Sequence, residues 1–526
     1  MLSRLTDLRR PLTVYGWSLI AGLFWGFSYP PNYTGLFSVI AFSLWIRLLP
    51  ELRPGQAFRV WFVGSLAGWV LLLYWMIYLM GHGGQNDVPA LIVGLSLMLS
   101  TMAFFHGILG FIAAAAFRQW GLAAYAFFPF LWVGEEYLRA LGTVSFPWMH
   151  LGYTLNWPLS LLQFLSVGGV YFYSFLVAGT AAGLAYLLDD RRSPARVKLV
   201  MAGLAAAWIF LLLFGQIRLK LNPAADQQPA APKIKLALIQ ANVDQSVKWN
   251  MRWLDSIYLL HQGLTLEAVP ALAPDLVVWP EASLPVYFMH RLRYKNSLEA
   301  LMKKIQTPLL FGALHFAAEP KFKRGLRFYN SLFFGRPDSA GFTRYDKMRL
   351  VPFQEALPFE DMLPMLTAVD IGEADFSPGK SVVPFTIRGR TGISLICYEV
   401  VYPATVRRHT GPGIDFVIQC TNDAWFGRTG MPYQHWNIAR FRAIENGLPI
   451  ATCANSGFSG WFDACGRAAG KTELFTRAIV PVEIIPREKR TLYSVIGDWP
   501  GFISCLVLLA CVALLIFRRK RPLGSR

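Results

Sequence analysis

Apolar and polar positions are laid out in two different ways along this chain, and the change falls near residue 220. Before it, nearly unbroken apolar runs extend from about Leu12 to Tyr29, Tyr33 to Leu49, Val60 to Met80, Pro89 to Phe117, Leu122 to Leu138, Leu159 to Leu188 and Leu199 to Gly215. Phe502 to Phe517 repeats the pattern at the far end. Such runs approach the roughly 20 residues with which a helix crosses a bilayer core of ~30 Å. They predict a polytopic α-helical membrane domain of about eight transmembrane helices, seven of them before the polar region. Arg4, Arg9 and Arg10 precede the first run as they would in a signal peptide. No small-residue cleavage site follows and further spans do, so the first run reads as an uncleaved helix.

Beyond a linker at Asn222 to Lys233, with Pro223, Pro229 and Pro232 among small and polar residues, the periodicity shortens. Lys235 to Gln240, Leu276 to Trp279, Leu309 to Ala313, Asn330 to Phe334, Ile393 to Cys397 and Phe416 to Cys420 read as strands. Between and after them, Trp253 to Ala268, Tyr294 to Ile305, Pro403 to His409 and Tyr433 to Asn446 fit helices. The expected organisation is a membrane domain over 1–217, an α/β domain with its own core over 218–499, and a last membrane helix with a basic tail over 500–526.

Composition supports membrane residence, since 54% of residues are hydrophobic and mean hydropathy is +0.38. The net charge of +18 is not gathered into a nucleic-acid-binding motif, and none is expected. Many basic residues instead flank the apolar runs, where they fix topology and meet anionic lipid headgroups. Arg47, Arg53 and Arg59, then Arg118, the Asp189–Lys198 loop and the Arg518–Arg521 tail share one face if the spans alternate. Both termini are then cytoplasmic, and the region from Arg218 to Pro500 lies outside the cytoplasm. In a bacterium this places it in the periplasm, on a multi-pass protein of the inner membrane.

Within the spans, Glu135, Glu136 and Arg139 are satisfied by i,i+3 and i,i+4 pairing near a helix end, and His106 reads as a hydrogen-bonded packing residue. Six cysteines in so long a chain form no disulfide framework. A Cys453–Cys465 bridge is compatible with an oxidising compartment and required by nothing.

The chemistry centres on Gly392 to Glu399, an apolar strand ending on Cys397 and an acidic turn. A rigid strand fixes a sulfur while the turn exposes it, although a lone cysteine is more often a small core residue. A nucleophilic thiol needs a base, and its acyl-transfer intermediate needs a cation or N–H donors at the oxyanion. Glu281, after the strand Leu276 to Trp279, and Lys347, in Tyr345 to Glu355, can supply both; that stretch also holds the second carboxylate, Glu355.

The order of these motifs resembles the carbon-nitrogen hydrolase, or nitrilase, superfamily. The resemblance rests on Trp279-Pro280-Glu281, on Lys347 with Leu350-Val351-Pro352-Phe353 and Glu355, and on Cys397-Tyr398-Glu399. It extends to Asn422–Gly427 and to Asn455-Ser456-Gly457. Phe146-Pro147-Trp148 with Gly152-Tyr153, together with the spans, makes the chain similar to the membrane branch, the apolipoprotein N-acyltransferase family. That resemblance implies a nitrilase-like αββα sandwich and a Glu281, Lys347, Cys397 triad without metal or cofactor. It further implies a phospholipid acyl donor, a Cys397 thioester and a diacylglyceryl apolipoprotein as acceptor. Glu355 would orient Lys347, Tyr398 and Glu399 would shape the pocket beside the thiol, and Trp425 would line the acyl-chain entry. Two departures stand out: Gln354 replaces a glycine before Glu355, and Asp463-Ala464-Cys465-Gly466 replaces an Asp-Pro-x-Gly turn.

Other chemistries fit less well. His435 or His409 could serve as base for a Cys/His enzyme, but the histidines show no paired spacing. Metal motifs are missing, and Gly466 to Thr472 is one residue short of a phosphate loop. A membrane-anchored amidase would use the same triad, whereas a transporter or receptor would need polar residues along several spans. Met362 to Leu366 is either an arm dipping into the outer leaflet or part of the domain core.

Overall fold

The structure is a computed structural model that describes residues 11–32, 34–78, 88–224, 227, 231–319, 325–339, 341–352, 354–356, 376–487 and 490–519. The segment Met362 to Leu366 lies outside the described residues. Contacts divide the chain into a helical unit, Met1–Met76 with Asp87–Arg218 and Ile496–Arg526, and an α/β unit, Ile77–Asn86 with Leu219–Val495.

The helical unit contains α1 (Pro11–Gly26), α2 (Leu36–Leu48), α3 (Pro54–Leu72), α4 (Val88–Trp120), α5 (Ala124–Arg139), α6 (Leu165–Leu187), α7 (Pro194–Leu221) and, from the end of the chain, α12 (Trp499–Arg519). Four stretches among the described residues are long and apolar enough to cross a membrane: Ile92–Arg139, Leu165–Leu187, Pro194–Leu221 and Trp499–Phe517. The 13-residue α2 is shorter, because at 1.5 Å per residue it reaches only ~20 Å. The helices pack on stacked and edge-on indoles, with Trp25 5.2 Å from Trp69 and 6.0 Å from Trp45. α1 and α3 approach so closely that a Cβ on Gly22 would lie within 2.9 Å of the Gly64 carbonyl carbon, so neither side of this crossing has room for a side chain.

The polar residues inside the helices behave partly as expected. Arg139 Nε lies 3.2 Å from Glu135 Oε1, the anticipated i,i+4 pair. Arg139 also donates to the carbonyls of Phe146 and Trp148, and Glu136 accepts from Leu151 N and Trp132 Nε1, so both residues anchor the loop after α5. His106 corrects the expectation of a hydrogen-bonded residue. Neither ring nitrogen has a hydrogen-bond partner among the described residues; the ring packs 4.8 Å from Trp132, with Nε2 3.9 Å from Glu135.

The α/β unit carries thirteen strands among the described residues: β1 (Ile234–Gln240), β2 (Leu276–Val278), β3 (Leu284–Tyr287), β4 (Leu309–Ala318), β5 (Leu326–Gly335), β6 (Phe342–Asp346), β7 (Phe385–Ile387), β8 (Arg390–Ile396), β9 (Phe416–Thr421), β10 (Ile450–Ala454), β11 (Gly460–Phe462), β12 (Ala468–Ala469) and β13 (Ala478–Ile484). One sheet runs β13-β1-β2-β4-β5-β6 with β3 beside β4, the other β12-β11-β10-β9-β8-β7. Strands β1, β2 and β4 are parallel, as are β8, β9 and β10.

Alternation along each strand sorts its side chains between two cores. Leu236, Leu238, Val278 and Leu310 meet Ile396, Ile418, Cys420 and Cys453 between the sheets. Ala237, Ile239, Val277 and Phe311 face outward onto α8 (Leu254–Leu272) and α9 (Leu292–Ile305). With α10 (Pro403–His409) and α11 (Met431–Asn446) on the second sheet, the layers are αββα, the nitrilase-like architecture.

All six cysteines are free. Cys453 is paired in register with Cys420 between the sheets and Cys465 lies in the β11–β12 turn, so the bridge considered between Cys453 and Cys465 is absent. Asp463 Oδ1 accepts the N–H groups of Cys465 at 2.8 Å and Arg467 at 2.9 Å, closing this turn without the proline.

Candidate active site

Parallel strands leave their carboxyl ends on one edge of each sheet, and the reactive side chains collect there. Glu281 follows β2, Lys347 follows β6, and Cys397 follows β8. The Glu281 turn is forced close to β4: a Cβ at Gly312 would sit 2.3 Å from Ala282 N and 2.6 Å from Pro280 O. Only glycine permits that approach, and Gly312 N donates to the Pro280 carbonyl at 3.2 Å.

Lys347 joins the carboxylates. Its Nζ lies 2.8 Å from both oxygens of Glu355 and 3.6 Å from Glu281 Oε1, with Lys347 and Glu281 buried. Burial alone would lower the Lys347 pKa, but the charges of Glu355 and Glu281 outweigh it and raise it well above the ordinary range. Lys347 is therefore a fixed ammonium at neutral pH, suited to stabilising an anion and unsuited to giving up a proton. Glu355 Oε2 also accepts Val351 N at 2.8 Å, so the glutamine at 354 leaves Glu355 on Lys347.

Cys397 adopts φ +48°, in the left-handed region that disfavours a side chain. Such strain persists only where neighbours over-determine it. Here Glu399, wholly buried, accepts Ile396 N at 2.7 Å, Met348 N at 2.7 Å and the Tyr345 hydroxyl at 2.8 Å, binding the turn after β8 to the segment carrying Lys347. On the other side, His435 Nε2 and Gln419 Nε2 lie 3.1 and 3.4 Å from the Cys397 carbonyl oxygen, and His435 Nδ1 is 3.1 Å from Asp423 Oδ1. Cys397 as a residue is half-buried. Burial pushes its pKa well up and the Glu281 carboxylate adds to this, while Lys347 opposes both. The resting group is a neutral thiol, which needs a base at the moment of reaction.

The remaining expected residues occupy the same edge. Tyr398 is buried edge-on against Tyr402, 5.2 Å between centroids, and Trp425 sits half-buried on the turn that carries Asp423. His409 Nδ1 is 2.8 Å from the Thr405 carbonyl oxygen and His435 is engaged at both ring nitrogens, so neither stands ready as a base in a Cys/His pair. Among the described residues no group of side chains could hold a metal ion.

The sequence carries a matching pair of signatures. A family model described as carbon-nitrogen hydrolase matches residues 235–486, and one described as apolipoprotein N-acyltransferase N-terminal domain matches residues 21–183. The apolipoprotein N-acyltransferase of Geobacter metallireducens is 32% identical over 511 residues, 97% of this chain and 96% of its own. The chain belongs to the apolipoprotein N-acyltransferase family. Other relatives of that name include those of Pseudomonas putida, 30% identical over 91% of this chain and 92% of its own, and Vibrio parahaemolyticus, 26% identical over 94% of each. The chain is thus a membrane acyltransferase built on a nitrilase-like domain.

Within this family framework, sequence reasoning missed Asn330, Lys248 and the Asp423–His435 pair. Asn330 Nδ2 donates to Glu281 Oε1 at 2.8 Å and Glu355 Oε1 at 3.3 Å, bridging the two carboxylates from the middle of β5. The available signal was an amide at the start of the apolar half of β5, where the strand turns buried. Asp423 and His435 are twelve residues apart and meet only in the folded chain.

Proposed function

We propose that this protein N-acylates the N-terminal diacylglyceryl-cysteine of bacterial apolipoproteins, taking the acyl chain from a phospholipid through a thioester on Cys397. The observation that carries the reading is the cluster of Glu281, Lys347 and Glu355 beyond the strand ends of one sheet with the strained, half-buried Cys397 beyond a strand end of the other. Glu281 takes the proton of Cys397 as the sulfur attacks the ester carbonyl. Lys347 and the main-chain N–H of Tyr398 hold the tetrahedral oxyanion. Its collapse breaks the ester C–O bond, Glu281 returns the proton to the leaving oxygen, and a lysophospholipid departs.

In the second half-reaction the free α-amine attacks the thioester, Glu281 takes the amine proton, and collapse forms the amide and returns the proton to sulfur. An α-amine with a pKa near 8 is sufficiently neutral at physiological pH to attack. Two half-reactions sharing one thioester give ping-pong kinetics. Glu355 orients Lys347, Tyr398 and Glu399 shape the pocket beside the thiol, and Trp425 lines the acyl-chain entry. The reading places the α/β unit, about 218–499, in the periplasm on an inner-membrane protein whose termini are cytoplasmic, where both lipid substrates are reached.

Incubation with phospholipid alone tests it. Intact mass should show a hydroxylamine-labile adduct of one acyl chain on Cys397, missing in Cys397→Ala. Addition of a diacylated lipopeptide should discharge the adduct onto its amine. Discharge to water alone would identify an amidase, and activity surviving in Cys397→Ala would remove the mechanism altogether.

A further inference from the structure

A second buried ammonium lies at this site. Lys248 ends the short helical turn Gln245–Lys248 that follows β1, is 2% exposed, and donates from Nζ to the main-chain carbonyl of Glu281 at 3.0 Å. Among the described residues it has no carboxylate within ion-pairing distance, unlike Lys347, which holds Glu355 at 2.8 Å. A buried cation without a close counter-ion is expensive and is retained where it does something. Glu281 is therefore gripped twice, by Lys347 and Asn330 at its carboxylate and by Lys248 at its carbonyl.

Charge matching gives this arrangement a role. Lys347 is shared between Glu355 at 2.8 Å and Glu281 at 3.6 Å, so one ammonium serves two carboxylates and Lys248 is a second cation beside Glu281. When Glu281 takes the proton from Cys397, the negative charge moves from carboxylate to sulfur, and both positions are felt at Lys248. We propose that Lys248 is a positioning residue of the acyl-transfer site, fixing Glu281 through its carbonyl and supplying the cation that balances first the Glu281 carboxylate and then the Cys397 thiolate. This rests on the acyl-transfer reading, in which Glu281 is the base for Cys397. The charged groups nearest in effect to the thiol are Glu281, Lys347 and Asp423, with Lys248 acting on it from the turn after β1, and those around Lys248 are Glu281, Cys397 and His261. Burial pushes the Lys248 pKa down to about 8, against the raising effect of Glu281 and Cys397, so the cation is present at neutral pH and lost above it.

The test is the pH dependence of Cys397 alkylation by iodoacetamide in the full-length detergent-solubilised protein, followed by peptide mass. Lys248→Met should raise the midpoint by about one unit and slow alkylation roughly tenfold at pH 7. Lys248→Arg should keep the wild-type rate at pH 7 and lose any inflection near pH 8. The wild-type profile should itself carry that inflection, so the proposal remains testable if Lys248→Met fails to fold. A Lys248→Met profile that superimposes on wild type overturns the proposal, as does a wild-type profile with no feature near pH 8. Failure of the acyl-transfer reading is separate: Cys397 would then alkylate normally but form no acyl adduct with phospholipid in the wild type.

Discussion

Asn330 Nδ2 lies 2.8 Å from Glu281 Oε1, and the same nitrogen reaches Glu355 at 3.3 Å. One amide thus bridges the buried Glu281 carboxylate and the half-buried Glu355 carboxylate, both of which lie against Lys347. Hydrogen bonds to charged groups contribute about 1.5–3 kcal/mol. Asn330→Ala should therefore slow acyl-adduct formation roughly 10- to 100-fold, and Asn330→Asp, which adds a third carboxylate, should slow it more. The rate of adduct appearance by intact mass provides the measurement.

Lys347→Ala leaves the buried Glu281 and the half-buried Glu355 without the ammonium they share. Breaking such a pair typically destabilises by about 3–5 kcal/mol, and loss of an oxyanion donor slows catalysis about 10²–10³-fold. The Lys347 pKa is raised on folding, so its stabilisation is complete below the unfolded value near 10.4 and is lost only as pH rises through the folded one. The thermal shift of Lys347→Ala should be the same at pH 6 and pH 9. Lys347→Arg should recover stability better than activity, because a planar guanidinium does not fit the place of a compact ammonium.

His435 behaves differently with pH. Burial lowers its pKa, but the charge and hydrogen bond of Asp423 prevail and raise it above the ordinary value near 6.5. Its stabilisation is full below that value and declines as pH rises through the folded one. The unfolding difference between wild type and His435→Gln should be largest at pH 6 and shrink toward pH 8. Because His435 adjoins the Cys397 carbonyl, the variant should also slow thiol alkylation.

Gly312→Ala places a methyl group against the main chain of the Glu281 turn, with 2.3 Å to Ala282 N where about 3.4 Å is comfortable. Neither strand nor turn can yield without moving Glu281. The expected result is adduct formation reduced by at least tenfold, with destabilisation of about 1–3 kcal/mol from overpacking. An unchanged adduct rate would mean that the turn shifts freely and that Glu281 does not depend on its position.

Glu399→Gln tests the clamp behind the thiol. The carboxylate accepts from Ile396, Met348, Arg349 and Tyr345, and a glutamine amide would point its N–H groups at some of these donors. Destabilisation of about 2–4 kcal/mol and loss of adduct formation are expected, read by thermal unfolding and intact mass.

Much of this protein is written locally in its sequence. Apolar runs with basic flanks announce membrane helices, because a bilayer selects for length and hydrophobicity alone. The strands that carry Glu281 and Cys397 are also legible, since they are buried on both faces and read as continuous apolar segments. Glu281 and Cys397 could be singled out because each follows such a strand, and Lys347 because it lies with Glu355 in a largely apolar stretch; β6 before it is too polar to read as a strand.

What the sequence did not contain was their mutual support. Short strands such as β11 and β12 have too few residues to show a period, and they form only because a neighbouring strand offers partners. Lys248 looks ordinary in its own segment, and the roles of Asn330, Asp423 and His435 come from atoms brought within about 3 Å across the fold. The strand-end cysteine was legible as a nucleophile, but its left-handed backbone, its neutral resting state and the two ammoniums around its base were decided by tertiary packing. Hydrogen bonds and buried charges act over a few ångströms of space, and sequence distance carries no record of them.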